Sequence, residues 1–128
     1  GRWIKVRENP TVICDTGHNV GGWSYLAERL SAYGDRLHMV IGFVNDKDVS
    51  GILKMMPDKA RYYFVRPSVE RGLDHNSLAA AASAAGKTGL TFGSVRDGYE
   101  NALSQAKEGD IVFVGGSTFV VADLMALI

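Results

Sequence analysis

The chain has 128 residues, of which 46% are hydrophobic, and its 14 Lys and Arg residues balance 14 Asp and Glu residues. This length and apolar content suit a single domain that buries its own core. The zero formal charge provides no field that would gather nucleic acid or an anionic membrane, and no apolar run approaches the roughly 18 residues that a membrane span needs. We therefore expect neither a nucleic-acid partner nor a membrane partner.

Cysteine usage and the start of the chain bear on its location and completeness. Cys14 is the only cysteine, so no disulfide can form within the chain, and the opening segment lacks the pattern of a secretory signal. These features predict a cytoplasmic location. The chain starts at Gly1 and enters a strand pattern almost at once, at positions 3–7. We interpret residues 1–128 as one domain of a longer protein.

Short apolar runs alternate with amphipathic helical patterns. After a first strand and a turn at 8–10, the runs lie at 12–14, 38–43, 62–65, 90–92 and 111–114. Helical patterns lie at 23–33, at 76–85 before Gly86, at 95–106 and from Ser117 onward. In the last helix we expect the following residues to be mostly buried: Val120, Val121, Leu124, Met125 and Ile128. Such alternation predicts a three-layer α/β fold, Rossmann-like, with a mostly parallel open sheet of about six strands, one of them antiparallel, and helices on both faces.

Polar residues follow the carboxyl ends of the predicted strands. They lie in four segments, at 15–19, 45–48, 66–71 and 115–118. Because parallel strands end at one edge of a sheet, these segments are expected to converge where open α/β sheets bind ligands. Carboxylates there suit ribose hydroxyls or a metal, whereas cations and backbone N–H groups at helix starts suit anions. The set fits an anionic substrate together with a nucleotide.

Each of these polar residues also has a simpler interpretation. Asp15 or Asn19 could cap the helix that follows, and Ser117 is a natural N-cap after two glycines. His18 alone suits a surface turn, and Lys47 between two aspartates suits a solvated turn. Only their shared location favours a functional role, so both interpretations stay open at this point.

Several known motifs are absent. Gly86-Lys87-Thr88 resembles the end of a P-loop, but the position five residues before Gly86 is Ala81, inside a predicted helix. Segment 17–22 is not a G-x-G-x-x-G fingerprint, and no G-x-S-x-G nucleophile turn occurs. The three histidines are widely separated and there is one cysteine, so no zinc-site spacing exists. Nicotinamide binding, covalent catalysis and a metal site within this chain are therefore not predicted.

Four motifs in order resemble one family. The segment 15–19, Asp-Thr-Gly-His-Asn, is similar to the D-G-A-H-N-P segment in the carboxy-terminal domain of folylpolyglutamate synthase/dihydrofolate synthase, a relative of the Mur ligases. Gly1-Arg2 resembles the glycine-arginine pair at that domain's entrance, 46–48 its D-K-D turn, and 116–119 its G-S-x-F segment. Thr16-Gly17 replaces glycine-alanine and Val20 replaces proline, which leaves the polar residues intact. The resemblance spans nearly the whole chain.

The resemblance implies an ATP-dependent amide ligase that adds L-glutamate to folate or dihydropteroate through an acyl phosphate. It implies that Arg2, Asp15 and His18 bind ATP, with Arg2 on the phosphates and Asp15 on the ribose hydroxyls. It further implies that Lys47 and Ser117 bind the carboxylates of glutamate. The P-loop and the Mg²⁺ ligands of the family are not in this sequence, so the resemblance implies a separate P-loop ATPase domain that completes the site.

Two alternatives remain from the sequence. One is the C-terminal domain of a Mur-type ligase that adds an amino acid to a peptidoglycan precursor by the same chemistry. The other is a noncatalytic α/β module that binds a nucleotide or a protein partner, for which polarity at one sheet edge would suffice. The histidine-asparagine pair at 18–19 favours the folate enzymes, and the isolated domain is expected to be inactive.

Overall fold

The computed structural model describes residues 3–16, 20–45 and 48–128. Its strands are β1 (Ile4–Arg7), β2 (Thr11–Asp15), β3 (Leu37–Gly42), β4 (Arg61–Val65), β5 (Gly89–Phe92) and β6 (Ile111–Gly116). Its helices are α1 (Val20–Ser31), α2 (Val49–Met55), α3 (His75–Ala84), α4 (Val95–Gln105) and α5 (Thr118–Met125), with a short 3-10 turn at Gly34–Arg36. No helix in the described ranges is long and apolar enough to cross a bilayer.

The six strands form one sheet in the order β1-β2-β6-β3-β4-β5. β1 runs antiparallel to β2, and the other neighbouring pairs are parallel. The predicted mixed sheet with one antiparallel strand is therefore confirmed. β6, the last strand in the sequence, lies between β2 and β3, so the connection from β2 through α1 to β3 passes over it.

Side-chain alternation along the strands divides the core into two layers. One face carries large side chains and packs against α1, α2 and α3; its strand residues include Met39, Tyr62, Phe64 and Phe113. The other face carries mostly smaller side chains, apart from Tyr63, and packs against α4 and α5; its strand residues include Val12, Cys14, Val40, Val112 and Val114. Helices on both faces remove the parallel strands from water, which explains their nearly continuous apolar sequence. The three-layer prediction is confirmed.

The ends of α3 follow from local backbone chemistry. The carboxylate of Asp74 accepts hydrogen bonds from the backbone N–H groups of Asn76 and Ser77, each at 3.0 Å, so the helix begins at His75, one residue before the predicted start. Its carboxyl end is followed by Gly86, whose φ of +81° confirms the predicted left-handed cap.

One expectation about the last helix is wrong, and one helix of the structure has no predicted counterpart. In α5 the predicted residues Val120, Val121 and Leu124 are buried, but Met125 and Ile128 are 39% and 60% exposed. Met125 is rotated by about 100° from Leu124, away from the sheet, and Ile128 lies beyond the end of the helix. The other error is an omission, because α2 was not recognised in the sequence.

Candidate functional site

Two crevices flank β6 at the carboxyl edge of the sheet. The helix after β6 is α5, which packs on one face, whereas the helices after β2 and β3, α1 and α2, pack on the opposite face. Neighbouring strands whose helices leave toward opposite faces are topological switch points, where open α/β sheets bind ligands. The topology therefore predicts one crevice between β2 and β6 and a second between β6 and β3.

The crevice between β6 and β3 contains a cavity of about 260 Å³. Its lining comes from the segment after β3, from α2, from the end of β6 and from the start of α5: Phe43, Val44, Val49, Ile52, Gly116, Ser117, Thr118 and Phe119. At its base the backbone N–H of Ser117 donates to the carbonyl oxygen of Gly42 at 2.9 Å, which joins the two strands. Phe119 at the rim is 46% exposed. The cavity is smaller than a typical drug-sized site of roughly 300–1,000 Å³, and it suits a small molecule.

Ser117 is the polar side chain that the fold buries in this cavity. It is 7% exposed, and its hydroxyl oxygen accepts the backbone N–H of Phe119 at 3.1 Å, so the predicted N-cap role is confirmed. A hydroxyl also carries one hydrogen to donate, and no acceptor for it lies among the described residues. Capping and ligand binding are therefore compatible at Ser117, and its proposed contact with glutamate stays a prediction.

Asp15 ends β2 in the other crevice. Its side chain is buried, it interacts within the protein, and it pairs in register with Gly115 of β6. The sheet therefore places Asp15 and Ser117 at the same edge, on two sides of the β6 backbone. The other predicted site residues, Arg2, His18 and Lys47, lie outside the described residues.

The apolar walls of the cavity were missed in the sequence. Phe43 and Val44 follow β3, while Val49 and Ile52 belong to the unrecognised helix α2. The spacing of Val49, Ile52 and Leu53 is helical and could have indicated a buried face after Asp48. Seven residues are a short window for this pattern, and Gly51 within it weakens helix propensity.

Two groups that could carry other chemistry are accounted for by the fold. Burial, together with the neighbouring charge of Asp15, raises the pKa of the Cys14 thiol, which makes it a poor nucleophile. The amine of Lys87, in the rejected P-loop-like segment, is buried and donates to the carbonyl oxygens of Lys54 and Ala85, each at 3.2 Å. Lys87 therefore joins two helix ends instead of facing a phosphate site.

The potential metal-ligating side chains are dispersed over the described part of the chain. Across 3–16, 20–45 and 48–128, no three His, Cys, Asp or Glu side chains cluster closely enough to hold an ion.

Comparisons with known proteins agree with this geometry. The family model of the Mur ligase glutamate ligase domain matches residues 1–118. The dihydrofolate synthase/folylpolyglutamate synthase of Escherichia coli K12 is 33% identical over 100% of this chain and 30% of that protein. A crystal structure of bifunctional folylpolyglutamate synthase/dihydrofolate synthase with Mn, AMPPNP and L-glutamate bound has a TM-score of 0.86 at 29% identity, covering 99% of this chain and 31% of that one.

A second solved structure, E. coli FolC in complex with DHPP and ADP, has a TM-score of 0.85 at 33% identity and covers 99% of this chain and 30% of that one. This chain thus spans about 30% of the length of these relatives. The chain belongs to the Mur ligase glutamate ligase domain family and is homologous over its whole length to the dihydrofolate synthase/folylpolyglutamate synthase enzymes.

Proposed function

We propose that this chain is the C-terminal domain of an ATP-dependent ligase that joins L-glutamate to folate or dihydropteroate. The observation that carries the proposal is the cavity that contains Ser117 on one side of β6, with Asp15 at the end of β2 on the other side. Two adjacent sites suit a reaction that needs a nucleotide and a small amino acid at once. The homologous structure with AMPPNP and L-glutamate bound supports the same pairing of ligands.

In the proposed reaction the substrate carboxylate attacks the γ-phosphorus of ATP, which forms an acyl phosphate and releases ADP. The amine of glutamate then attacks the acyl carbon, the C–N bond forms, inorganic phosphate leaves, and the amine loses a proton. Phosphoryl transfer depends mainly on positioning and charge stabilisation. We assign Asp15 to the ribose hydroxyls, Arg2 to the ATP phosphates and His18 to the nucleotide side of the cleft.

We assign the cavity between β6 and β3 to glutamate. The hydroxyl of Ser117 can donate to one carboxylate, and Lys47 would neutralise the other. The walls formed by Phe43, Val49 and Ile52 are apolar and suit the methylene groups between the two carboxylates. None of the described residues that line the cavity is charged.

The rest of the active site is assigned to a P-loop ATPase domain in the same polypeptide. That domain would supply the phosphate loop and most ligands of Mg²⁺, and a homologous structure complexed with AMPPNP and a Mn ion supports a divalent metal together with the nucleotide. Its closure over the carboxyl edge would exclude water that hydrolyses an acyl phosphate. We place the whole enzyme in the cytoplasm.

The division of labour between domains can be tested on the 128-residue protein. It is expected to unfold cooperatively in urea and to show no ATP-dependent incorporation of labelled glutamate into folate or dihydropteroate. The full-length ligase under the same conditions is the positive control. Turnover by the purified 128-residue protein would overturn the assignment of catalysis to two domains.

The glutamate site can be tested in the full-length ligase with Ser117→Ala. We expect the KM for glutamate to rise about tenfold, because a hydrogen bond to a charged group is lost, while the KM for ATP stays unchanged. Ser94→Ala is the matched control, since Ser94 caps α4 through the same type of bond, to the N–H of Asp97 at 3.1 Å, and does not line the cavity. Equal effects of the two variants on glutamate KM would overturn the site assignment.

The substrate needs a separate test, because the matched family also fits a ligase for peptidoglycan precursors. The full-length protein would be assayed with dihydropteroate, with folate and with a nucleotide-linked muropeptide. Activity only with the muropeptide would replace the folate assignment. Activity with none of them, and no P-loop elsewhere in the polypeptide, would favour a noncatalytic binding module.

A further inference from the structure

One wall of the cavity is held by the loop of residues 66–73, between β4 and α3. The backbone N–H of Leu73 donates to the carbonyl oxygen of Phe43 at 2.8 Å, and the N–H of Asn45 donates to the carbonyl oxygen of Arg71 at 2.9 Å. Between these bonds, Val44 and Gly72 form an antiparallel bridge. The segment after β3 that lines the cavity is therefore paired, residue by residue, with the 66–73 loop.

The 66–73 loop is also attached to the helix of the opposite wall. Both the backbone N–H and the hydroxyl of Ser68 donate to the carboxylate of Asp123, at 2.8 and 2.6 Å. Asp123 lies on α5, and the first residues of α5 form the wall that contains Ser117. The two walls are thus connected at their base by the Ser117–Gly42 bond and further out through the 66–73 loop.

Gly72 makes the tight path of the 66–73 loop possible. A Cβ atom at this position would lie 2.6 Å from the carbonyl oxygen of Pro67 and 3.0 Å from that of Val69. Real Cβ atoms do not approach backbone oxygens so closely, so a side chain would force the loop to move. Any such movement pulls directly on Val44, the bridge partner of Gly72.

We propose that the 66–73 loop sets the width of the glutamate cavity, with Gly72, Ser68 and Asp123 as positioning residues. The inference rests on the proposed function of the cavity. None of the three residues lines the cavity, so each acts through Phe43 and Val44. The crevice between β6 and β2, which we assign to the nucleotide, lies on the other side of β6. The loop is therefore expected to affect the affinity for glutamate and not the affinity for ATP.

Kinetics of the full-length ligase test the proposal. Asp123→Ala removes both acceptors of Ser68 and is expected to raise the KM for glutamate about threefold to tenfold, with the KM for ATP and kcat at saturating glutamate unchanged. Asp123→Asn keeps an acceptor for the Ser68 N–H and an amide group that can donate to its hydroxyl, so it should restore the glutamate KM to near wild type.

Gly72→Ala should raise the KM for glutamate at least as much as Asp123→Ala. Gly51→Ala is its matched control, because Gly51 lies on the cavity helix α2 and an added Cβ there meets nothing within 4 Å. Thermal unfolding of each variant verifies that the domain is folded at the assay temperature. Parallel rises in the KM for glutamate and for ATP would overturn the proposal, since they would indicate general loosening of the domain.

Amide hydrogen exchange of the 128-residue protein provides a readout that does not depend on catalysis. The N–H groups of Asn45 and Leu73 are expected to lose about tenfold in protection in Asp123→Ala, while amides in the centre of β6 keep theirs. Unchanged protection at Asn45 and Leu73 would overturn the proposed attachment of the loop.

The two proposals fail in different ways. If Ser117→Ala raises the KM for glutamate and Asp123→Ala does not, the loop proposal is overturned and the glutamate cavity stands. If Ser117→Ala leaves the KM unchanged, the assignment of the cavity to glutamate fails. Lower protection of the Asn45 and Leu73 amides from hydrogen exchange in Asp123→Ala would then still establish the loop as the support of the cavity wall.

Discussion

Buried polar groups at the two ends of the sheet differ in how completely the protein satisfies their hydrogen bonds. At the carboxyl end, Ser117 lies in a cavity and retains a hydroxyl hydrogen without an acceptor among the described residues. At the amino end, His38 and Lys87 are almost completely buried, and their polar atoms contact other groups of the protein. Burial of a polar group therefore does not by itself indicate a ligand site. A ligand site is indicated when a buried polar group beside a cavity still has a hydrogen-bonding atom without a partner in the protein.

The network at the amino end is closed around His38. Its Nδ1 lies 2.8 Å from the Tyr63 hydroxyl, and its Nε2 lies 2.7 Å from a carboxylate oxygen of Asp110, which also accepts the backbone N–H of Lys107 at 3.0 Å. A tyrosine hydroxyl can donate or accept, so either protonation state of the imidazole can be satisfied. These residues therefore hold β3, β4 and the approach to β6 together, and we assign them to stability.

The largest expected effect is that of His38→Leu, which breaks the closed network. It leaves the Tyr63 hydroxyl and the Asp110 carboxylate without their buried partner and should lower the free energy of unfolding by about 3 kcal/mol. Urea unfolding of the 128-residue protein measures it. Tyr63→Phe should cost much less when added to His38→Leu than alone, because its partner is already gone. A raised glutamate KM in the full-length His38→Leu ligase would contradict the separation of the two ends.

Lys87→Met should have the next largest effect. It removes the donor shared by the carbonyl oxygens of Lys54 and Ala85, which lie at the ends of α2 and α3, and also the ion pair with Asp58 at 3.3 Å. The exposed carboxylate contributes little, so the expected loss of about 1–3 kcal/mol comes from the two carbonyls. Lys59→Met, at an exposed position, is the control and should stay within about 0.5 kcal/mol of wild type in urea unfolding.

Acidification is expected to have a smaller effect on the free energy of unfolding. Burial would raise the pKa of Asp110, but hydrogen bonds from His38 and the Lys107 N–H, with Arg61 nearby, outweigh it and hold this pKa below the usual value. The resulting stabilisation is present above the carboxyl pKa of the unfolded chain, near 3.9, and is lost as the pH falls through the lower folded value. Unfolding free energies measured from pH 5 to pH 2.5 should therefore fall less steeply in Asp110→Asn than in wild type. Equal slopes would show that Asp110 does not supply this acid sensitivity.

Local sequence patterns were sufficient for the framework of the fold. Apolar runs located the strands because parallel strands are covered on both faces, and the N-cap at Ser117 followed from its position after two glycines. The convergence of Asp15 and Ser117 at one edge followed from the rule that parallel strands end together. These inferences need only the period of an element and its direction in the sheet.

The cavity and its supports depend on contacts between distant parts of the chain. Phe43 and Phe119 line the same cavity only because β6 inserts between β2 and β3, which no local spacing reveals. The bond between Ser68 and Asp123 joins residues 55 positions apart, and the contact of His38 with Asp110 joins residues 72 apart. A single sequence contains no periodic signal for such pairs.

The smallest predicted effect compares two glycines that have equal space around them. Gly51 on α2 and Gly86 after α3 would each accept a Cβ atom with nothing within 4 Å, so steric contact predicts no difference. Gly51→Ala should stabilise the chain by about 0.4–1 kcal/mol, because alanine has fewer unfolded conformations and a better helix propensity. Gly86 has a φ of +81°, where an alanine is strained, so Gly86→Ala should destabilise by about 1 kcal/mol. Urea unfolding distinguishes the signs, and an unchanged glutamate KM in the full-length Gly51→Ala ligase would limit the functional part of α2 to the side chains that line the cavity.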